Sequence, residues 1–387
     1  MKKLNFIIKY GLALLLLSFY SCESWLNVTP SDRLSEEMLF NDREGFVKAL
    51  NGVYIELNTN ELYGRNLTAG ALDVMGQYYS VASSSHAFYN YGGLVYTGND
   101  EKALFDNMWQ KCYAVIACCN TIIEKCDENK AGLSPVWKGS IKGEALALRA
   151  MLHFDMLRLF GPLTSELDKE SIPYQTNSDQ TVTPLLSGSE VIGLILDDLK
   201  NAVGLLKDTD PYFVEEEFSD TDLNYRRFRM NYFAAKGLMA RVQLWGGDKE
   251  KAAITAKEVI AEGQAEGAEF FPFVTNSEAT SSNPDRVFYS EVLFGTYHSS
   301  REKLHEDLFA PTLESTSILT LAGTARRDDL YDNENDYRYS VWSTYNKNGT
   351  SVLYHRKFEK QDNVTASRQY MIPLIRMSEM YLFAVEC

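Results

Sequence analysis

The sequence has few residues of the kinds that carry hydrolytic or metal chemistry. It contains five histidines, scattered at positions 86, 153, 298, 305 and 355. It has no G-x-S-x-G nucleophile elbow, no phosphate-binding glycine loop and no H-E-x-x-H zinc motif. His153 lies in a predicted packed helix, and nothing near His298 and His305 completes a metal site. We therefore expect no catalytic residue, no metal and no cofactor. A surface glycosidase, which needs only two carboxylates, stays an alternative.

Basic residues are also scarce. The 38 lysines and arginines face 53 aspartates and glutamates, so the formal net charge is −15. Removal of residues 1–21, which contain three lysines, would change the charge to −18. A surface this acidic repels phosphates, which excludes nucleic acid as an expected partner.

Only the amino-terminal segment contains a long apolar run. Lys2, Lys3 and Lys9 precede an apolar stretch that ends at Tyr20 and is too short for a transmembrane helix of about 20 residues. This layout predicts a signal peptide over residues 1–21. Cys22 follows the expected cleavage point, and we expect it to carry acyl chains such as palmitate that anchor the protein to a membrane. The alternative is a soluble secreted protein in which Cys22 is incidental.

The other cysteines and one acidic run have structural interpretations. Cys112, Cys119 and Cys126 recur every seven residues along one predicted helix, roughly 10 Å apart, and are expected to be buried as small hydrophobic residues. The run Asp332-Asn-Glu334-Asn-Asp336 alternates oxygen donors as calcium loops do. It lacks the glycine and the distal glutamate of such loops, so a solvated acidic turn is predicted.

Helical periodicity dominates the middle of the chain. Helices are predicted over residues 101–126, 135–160, 189–206, 231–245 and 250–262. Gly161-Pro162 ends the second of these helices, and within it we interpret Glu144 and Arg149 as residues that hydrogen-bond to other helices. The last two helices, joined by Gly246-Gly247-Asp248, are typical of a tetratricopeptide hairpin.

The remaining segments are less regular. Residues 61–100 are rich in glycine and tyrosine, which predicts loops with at most short helices. Short strands and turns are expected over 263–369, and a final helix over 374–387. This last helix has no stop signal and no following partner, so we expect the chain to be truncated within a helix pair.

Several segments in the same order resemble the SusD/RagB family of nutrient-binding outer-membrane lipoproteins. They are Cys22–Pro30, Ala49–Tyr54, Trp109–Ile123, Gly143–Pro162, Ala234–Ala252, Ser290–Phe294, Arg326–Asp328, Arg356–Phe358 and Pro373–Glu386. The resemblance implies a mainly α fold of tetratricopeptide-like helix pairs with an irregular, loop-rich ligand-binding region. It also implies three parts: the signal peptide 1–21, an amino-terminal region 22–262, and an incomplete carboxy-terminal region 263–387.

The resemblance implies a function as well. Family members are lipid-anchored, surface-exposed proteins of the outer membrane that act as a lid over a TonB-dependent, SusC-like transporter barrel. They capture an oligosaccharide and pass it to the barrel, and they are not enzymes. Two alternatives stay open: a peptide-capturing member of the same family, and a tetratricopeptide scaffold that only holds proteins together.

The ligand-binding residues are expected in two loop regions. Aromatic rings pack against the C–H faces of sugars, and phenol and amide groups bond to sugar hydroxyls. The candidates are Tyr78, Tyr79, Tyr89, Asn90, Tyr91 and Tyr96 in the first region, and Tyr297, Arg301 and Trp342 in the second.

Overall fold

A computed structural model describes residues 36–179, 181–266, 268–331, 333 and 335–387. The predicted signal peptide, Cys22 and the tether that follows it lie outside the described residues, as do Asp332 and Glu334 of the acidic run.

The described residues form fifteen α-helices. The long ones are α2 (Arg43–Leu57), α5 (Asn99–Glu128), α6 (Pro135–Phe160), α7 (Gly188–Thr209), α9 (Tyr232–Trp245), α10 (Lys249–Gly263) and α15 (Met377–Glu386). The short ones are α1 (Glu36–Leu39), α3 (Ala71–Met75), α4 (Tyr89–Gly92), α8 (Asp220–Asn224), α11 (Asn276–Thr280), α12 (Arg301–Leu308), α13 (Thr324–Leu330) and α14 (Ala366–Tyr370). In the part of the chain that the structure describes, no helix has the length and apolar character needed to cross a bilayer.

The strands are short and pair in twos, all antiparallel. The pairs are β1 (Glu170–Pro173) with β2 (Leu185–Ser187), β3 (Gln264–Ala265) with β4 (Ala268–Glu269), β5 (Val292–Tyr297) with β8 (Met371–Arg376), and β6 (Trp342–Lys347) with β7 (Thr350–His355). Strands β6 and β7 form a hairpin whose turn residues, Asn348 and Gly349, both have positive φ. Asn-Gly is the sequence favoured at such a turn.

Local sequence accounts for the helix boundaries. The Ser134 side chain accepts a hydrogen bond from the Trp137 N–H at the start of α6, where Pro135 occupies the first turn. A reciprocal capping box of Ser187 and Glu190 begins α7. Asp248 caps α10 after the turn at Gly247, whose φ is +87°.

The long helices stack side by side in chain order. Helix α5 packs on α6, α6 on α7, α7 on α9, α9 on α10, and α10 on α15, while α2 covers α5. This is how tetratricopeptide-like arrays bury apolar faces that no single pair can bury alone. Helices α6 and α7 approach closely because glycines face α7: a Cβ on Gly143 would lie 2.7 Å from Leu206 Cγ.

A buried guanidinium joins several of these helices. Arg226 is only 2% exposed and lies between α8 and α9. Its Nε and Nη2 donate to the two carboxylate oxygens of Asp210, at 2.9 and 2.6 Å, and its Nη1 donates to Glu144 of α6. Asp210 directly follows α7 and also accepts a hydrogen bond from the Tyr232 N–H at the start of α9, at 2.8 Å.

Glu144 extends this buried network to α2. Its Oε2 accepts hydrogen bonds from the Tyr54 hydroxyl of α2, at 2.6 Å, and from Arg229 Nε, at 3.0 Å. Burial alone would raise the pKa of Glu144, but Arg229, Arg226 and the Tyr54 hydroxyl outweigh it and hold that pKa below its ordinary value. The expectation that Glu144 and Arg149 bond to other helices is confirmed, since Arg149 also donates two bonds of 2.7 Å to Asp198 of α7.

The loop-rich segments have a core of their own. It is made of buried aromatic and aliphatic side chains from residues 69–91 and from the later part of the chain. Its largest members include Tyr79, Tyr91, Phe309, Trp342 and Phe358. This second core supports the surface loops beside the helical stack.

Most sequence predictions of structure are confirmed, and two are wrong. The segment 263–369, where short strands and turns are expected, also contains the short helices α11 to α13 and most of α14. The five predicted helices are present within a few residues of the expected ends, and α3 and α4 are the only helices that begin and end within the described residues 61–100, since α5 begins at Asn99 and continues beyond them. Cys112, Cys119 and Cys126 are buried, and His153 is a satisfied core residue that bonds to Arg149 O and Gln175 N. The helix expected from Leu374 begins only at Met377, because the preceding residues pair with β5 as strand β8.

We predict that Arg226→Ala lowers the free energy of unfolding by about 3–5 kcal/mol, because it leaves the buried Asp210 carboxylate without a cation and removes one of the two arginines that pair with Glu144. Urea denaturation measures the change. Lys48→Ala, which removes an exposed ion pair with Glu44 (2.8 Å), is the control and should cost less than about 1 kcal/mol. Equal costs for the two variants would show that the network does not stabilise the helix stack.

Candidate functional site

A cleft of about 440 Å³ opens on the loop-rich side of the molecule. Its walls come from the segment after α2, the loop at Tyr78, residues 286–288, the end of β7 and strand β8, together with Tyr331, Arg338 and Val341. The volume lies in the range of about 300–1,000 Å³ that is usual for small-molecule sites.

Five tyrosine and phenylalanine residues line this cleft. They are Tyr78, Tyr79, Phe288, Tyr331 and Phe358. The hydroxyls of Tyr78 and Tyr331 are hydrogen-bonded at 2.7 Å, which couples two loops that are far apart in sequence. Burial and the Tyr331 hydroxyl raise the pKa of Tyr78, so its phenol stays protonated and can donate.

Four cationic side chains line the same cleft. They are Arg286, Arg338, Lys357 and Arg376. Among the described lining residues none is acidic, although the chain as a whole carries a net charge of −15. The guanidinium of Arg338 lies 5.4 Å from the Tyr331 ring centre, and that of Arg376 lies 5.7 Å from the Phe288 ring centre. Two of the four cations are therefore stacked on aromatic rings of the cleft.

The β6–β7 hairpin forms the back of the cleft. Trp342 and His355 are paired across it, with ring centres 4.4 Å apart. Burial, together with the charge of Lys357, keeps the pKa of His355 well below its ordinary value, so its imidazole is neutral. Within the described residues, no group of three or more His, Cys, Asp or Glu side chains is placed to hold a metal.

The backbone at Phe288 has an unusual conformation. Its φ is +52° and its ψ is +57°, in the left-handed region that bulky residues rarely adopt. The buried carboxylate of Asp285 supports this turn by accepting the backbone N–H groups of Val287 (3.0 Å), Phe288 (3.1 Å) and Tyr289 (2.9 Å). Phe358, across the cleft, also has a positive φ of 62°. Such strained residues concentrate at ligand sites.

Comparison with known families decides the identity of this fold. The SusD-like family described as starch-binding and associating with the outer membrane matches residues 24–244, more than half of the sequence. The chain belongs to the SusD-like family. The expected family and the expected mainly α, tetratricopeptide-like fold are thus confirmed.

Individual relatives agree with this assignment. SusD-like protein P2 of Formosa agariphila is 26% identical over 67% of this chain, and a SusD-like protein of Bacteroides ovatus is 30% identical over 37% of it. The SusD-like chain matches 46% of the length of the first relative and 23% of the second, so it spans about half or less of the curated relatives it matches.

Solved SusD-like structures share the fold. A SusD-like carbohydrate-binding protein from Bacteroides vulgatus superposes with a TM-score of 0.68 at 21% identity, covering 89% of this chain and 71% of that one. A laminarin-binding SusD-like protein gives a TM-score of 0.64 at 16% identity, covering 89% and 80%.

The structure brings three of the sequence-predicted site residues together. Tyr78 and Tyr79 line the cleft, and Trp342 packs directly behind them, with its ring centre 6.4 and 6.2 Å from theirs. Tyr79 and Trp342 are almost completely buried, at 3% and 4% exposure. In this SusD-like chain, Tyr78 is therefore the one of the three with surface to offer a ligand.

Four other predicted residues form a separate group on and beside α4. Tyr89 is 43% exposed, whereas Tyr91 is buried against Phe105 and other rings. The Asn90 amide donates to Glu101 Oε1 at 2.9 Å, and the Tyr96 ring packs on Phe105. None of these four residues is among the described residues that line the cleft.

The two remaining candidates lie elsewhere. Tyr297 belongs to an exposed aromatic patch with Tyr225 and Tyr370, at centre distances of 6.4 and 5.3 Å. Arg301 is buried beneath the cleft, where its Nη1 donates to Met371 O at 2.9 Å and its guanidinium lies 5.6 Å from the Phe358 ring centre. Arg301 supports the wall and does not face the opening.

The cationic wall was not among the residues predicted from sequence. The sequence contains a signal for part of this wall, because three of its residues lie in segments that resemble the family. Lys357 and Phe358 belong to the Arg356–Phe358 segment, and Arg376 belongs to the segment that begins at Pro373. Both segments carried the family resemblance without a functional interpretation. Arg286, Phe288 and Arg338 lie in irregular segments. Such segments have no periodic pattern from which the direction of a side chain can be predicted.

We predict that Asp285→Ala lowers the free energy of unfolding by about 1–3 kcal/mol and speeds amide exchange at residues 287–289, because it leaves three backbone donors without an acceptor. Urea denaturation and hydrogen exchange measure the two effects. Asp197→Ala, which removes an exposed partner of Lys200, is the control. Unchanged exchange at 287–289 would show that Asp285 does not hold this turn.

Proposed function

We propose that the protein binds an oligosaccharide in the cleft and serves as a surface capture protein for nutrient glycans. The observation that carries the proposal is the set of aromatic rings around one concave site in a member of a starch-binding family. Ring faces pack against sugar C–H groups, while the phenols of Tyr78 and Tyr331 offer donors and acceptors to sugar hydroxyls. A neighbour of the same fold is described as laminarin-binding, which supports a glycan ligand.

We further infer that capture is non-catalytic and is coupled to transport. Members of this family associate with the outer membrane. On this proposal, Cys22 carries the lipid anchor, residues 22–262 and 263–387 form the capture body, and bound ligand is passed to a TonB-dependent, SusC-like barrel. In the peptide-capturing alternative, a chain with a net charge of −15 would favour a basic peptide, and the four cations that line the cleft weigh against such a ligand.

Ligand binding is tested with the full chain, purified in detergent, on an array of neutral and charged glycans and peptides. Phe288→Ala should weaken binding of the retained glycan about five- to tenfold, because it removes a half-buried ring that contributes a stacking face. Isothermal titration calorimetry measures the affinity.

Phe273→Ala is the matched control for this experiment. Phe273 is 47% exposed and packs on Tyr381, outside the cleft. Affinity should therefore stay unchanged in this variant. Retention of no glycan at all, or equal loss of affinity in both variants, would contradict the proposed function.

The anchor is tested separately. Cys22→Ala should move the protein from the membrane fraction to the soluble fraction and abolish incorporation of labelled palmitate, because stable anchoring requires the acyl chains. Cys118→Ala, which changes an exposed cysteine of α5, is the control and should stay in the membrane fraction. Membrane retention of Cys22→Ala would show that another feature anchors the protein.

A further inference from the structure

The cations around the cleft outnumber the carboxylates that compensate them. Arg338 pairs with Asp336 at 2.6 Å, and Lys357 pairs with Asp73 at 3.2 Å. The same oxygen of Glu359 accepts both Arg286, at 3.0 Å, and Arg356, at 2.8 Å. Among the described residues, no carboxylate forms an ion pair with Arg376.

Glu291, Asp285 and Glu379 favour the ionised form of Arg376, although burial still lowers its pKa, and each of the three is also engaged with other partners. Glu379 is held by Arg241 through two bonds of 2.6 and 2.7 Å. Asp285 accepts three backbone N–H groups, and Glu291 accepts the Val274 N–H at 3.1 Å. The guanidinium of Arg376 is thus left stacked on the Phe288 ring at the wall of the cleft.

The electrostatics of the neighbouring arginines agree with an excess of positive charge. Burial, reinforced by Arg356 and Arg368, lowers the pKa of Arg286. Burial, with Arg286 and Arg368, lowers the pKa of Arg301 to about 10. A bound anion would oppose both effects, because an opposite charge favours the ionised form of each group.

We propose that the glycan bound in this cleft carries an anionic substituent, a carboxylate or a sulfate, that is held by Arg338 and Arg376. This inference rests on the proposed function and adds the charge class of the ligand. The guanidinium of Arg376 presents a fork of donors that matches the paired oxygens of these anions, whereas Asp336 already accepts from Nε and Nη2 of Arg338, which leaves Nη1 of Arg338 for the anion. Stacking on Tyr331 and Phe288 leaves ring faces and cations side by side, as an acidic sugar requires.

Two matched pairs of probes test the inference, with the full chain and calorimetry at low salt. One pair is a sulfated galactan tetrasaccharide and its desulfated form, and the other is a uronate tetrasaccharide and its carboxyl-reduced form. We expect the charged member of at least one pair to bind about tenfold more tightly than its neutral counterpart. The pair that shows this preference identifies the anion. Raising sodium chloride to 0.5 M should narrow the difference, since salt screens charge.

Variants assign the preference to the cleft. Arg338→Gln and Arg376→Gln should each reduce the tenfold preference to about threefold or less, whereas Arg376→Lys should retain more of it. Lys200→Gln is the control, because Lys200 is 64% exposed and pairs with a nearby aspartate, as Arg338 does at 66% exposure. Thermal melting checks that each variant is folded. Arg338→Gln changes an exposed side chain and is therefore the variant expected to affect folding least.

The outcomes separate the inference from the proposed function. Neutral and charged probes bound equally well would overturn the inference and leave glycan capture intact. A preference that Lys200→Gln reduces as much as Arg338→Gln would also overturn it, because the effect would then be one of overall charge. Binding of a glutamate-rich peptide with no glycan bound would overturn both proposals.

Discussion

The buried charge of Arg226 is the interaction on which the helix arrangement depends. Asp210 at the end of α7 and Glu144 in α6 compensate this guanidinium, and Glu144 also binds Tyr54 of α2. A charge removed from water is tolerated only where its partners are fixed in place, so the network specifies how these helices meet. Apolar packing supplies most of the stabilising area, but it is not directional. The ionised centre therefore sets the alignment of the stack.

The cleft depends on the same stack through strand β8. This strand pairs with β5 and continues directly into α15, which packs on α10. Its last residue, Arg376, faces the cleft, and the next residue, Met377, is buried in the main core. Arg376 is thus held by regular structure, while the backbone at Phe288, on whose ring Arg376 stacks, is held by the buried Asp285 carboxylate. Both supports keep the site formed before a ligand arrives, which lowers the entropic cost of binding.

The charge of the cleft is opposite to that of the chain. An acidic surface repels anionic ligands at a distance, whereas a cationic patch attracts them only when they come within about a Debye length of 8–10 Å. On the proposal of an anionic glycan ligand, a site of this kind discriminates between ligands by charge at close range. Glu359 pairs with both Arg286 and Arg356, so each arginine has a partner. One carboxylate for two guanidinium groups leaves a net positive charge.

Sequence alone determined the parts of this protein that depend on local pattern. The periodicity of residues 135–160 and the Gly161-Pro162 stop predicted the bounds of α6 correctly, because helix propensity and capping act over a few residues. The order of the motifs along the chain identified the family. The strand Met371–Arg376 became evident from the three-dimensional structure, since pairing with β5 overrides local preference. The tertiary structure also decided that Tyr78 faces the cleft while Tyr79 and Tyr91 are buried. In an irregular segment, the direction in which a side chain points depends on contacts with residues that are distant in sequence. The local sequence of a tyrosine-rich loop does not reveal those contacts.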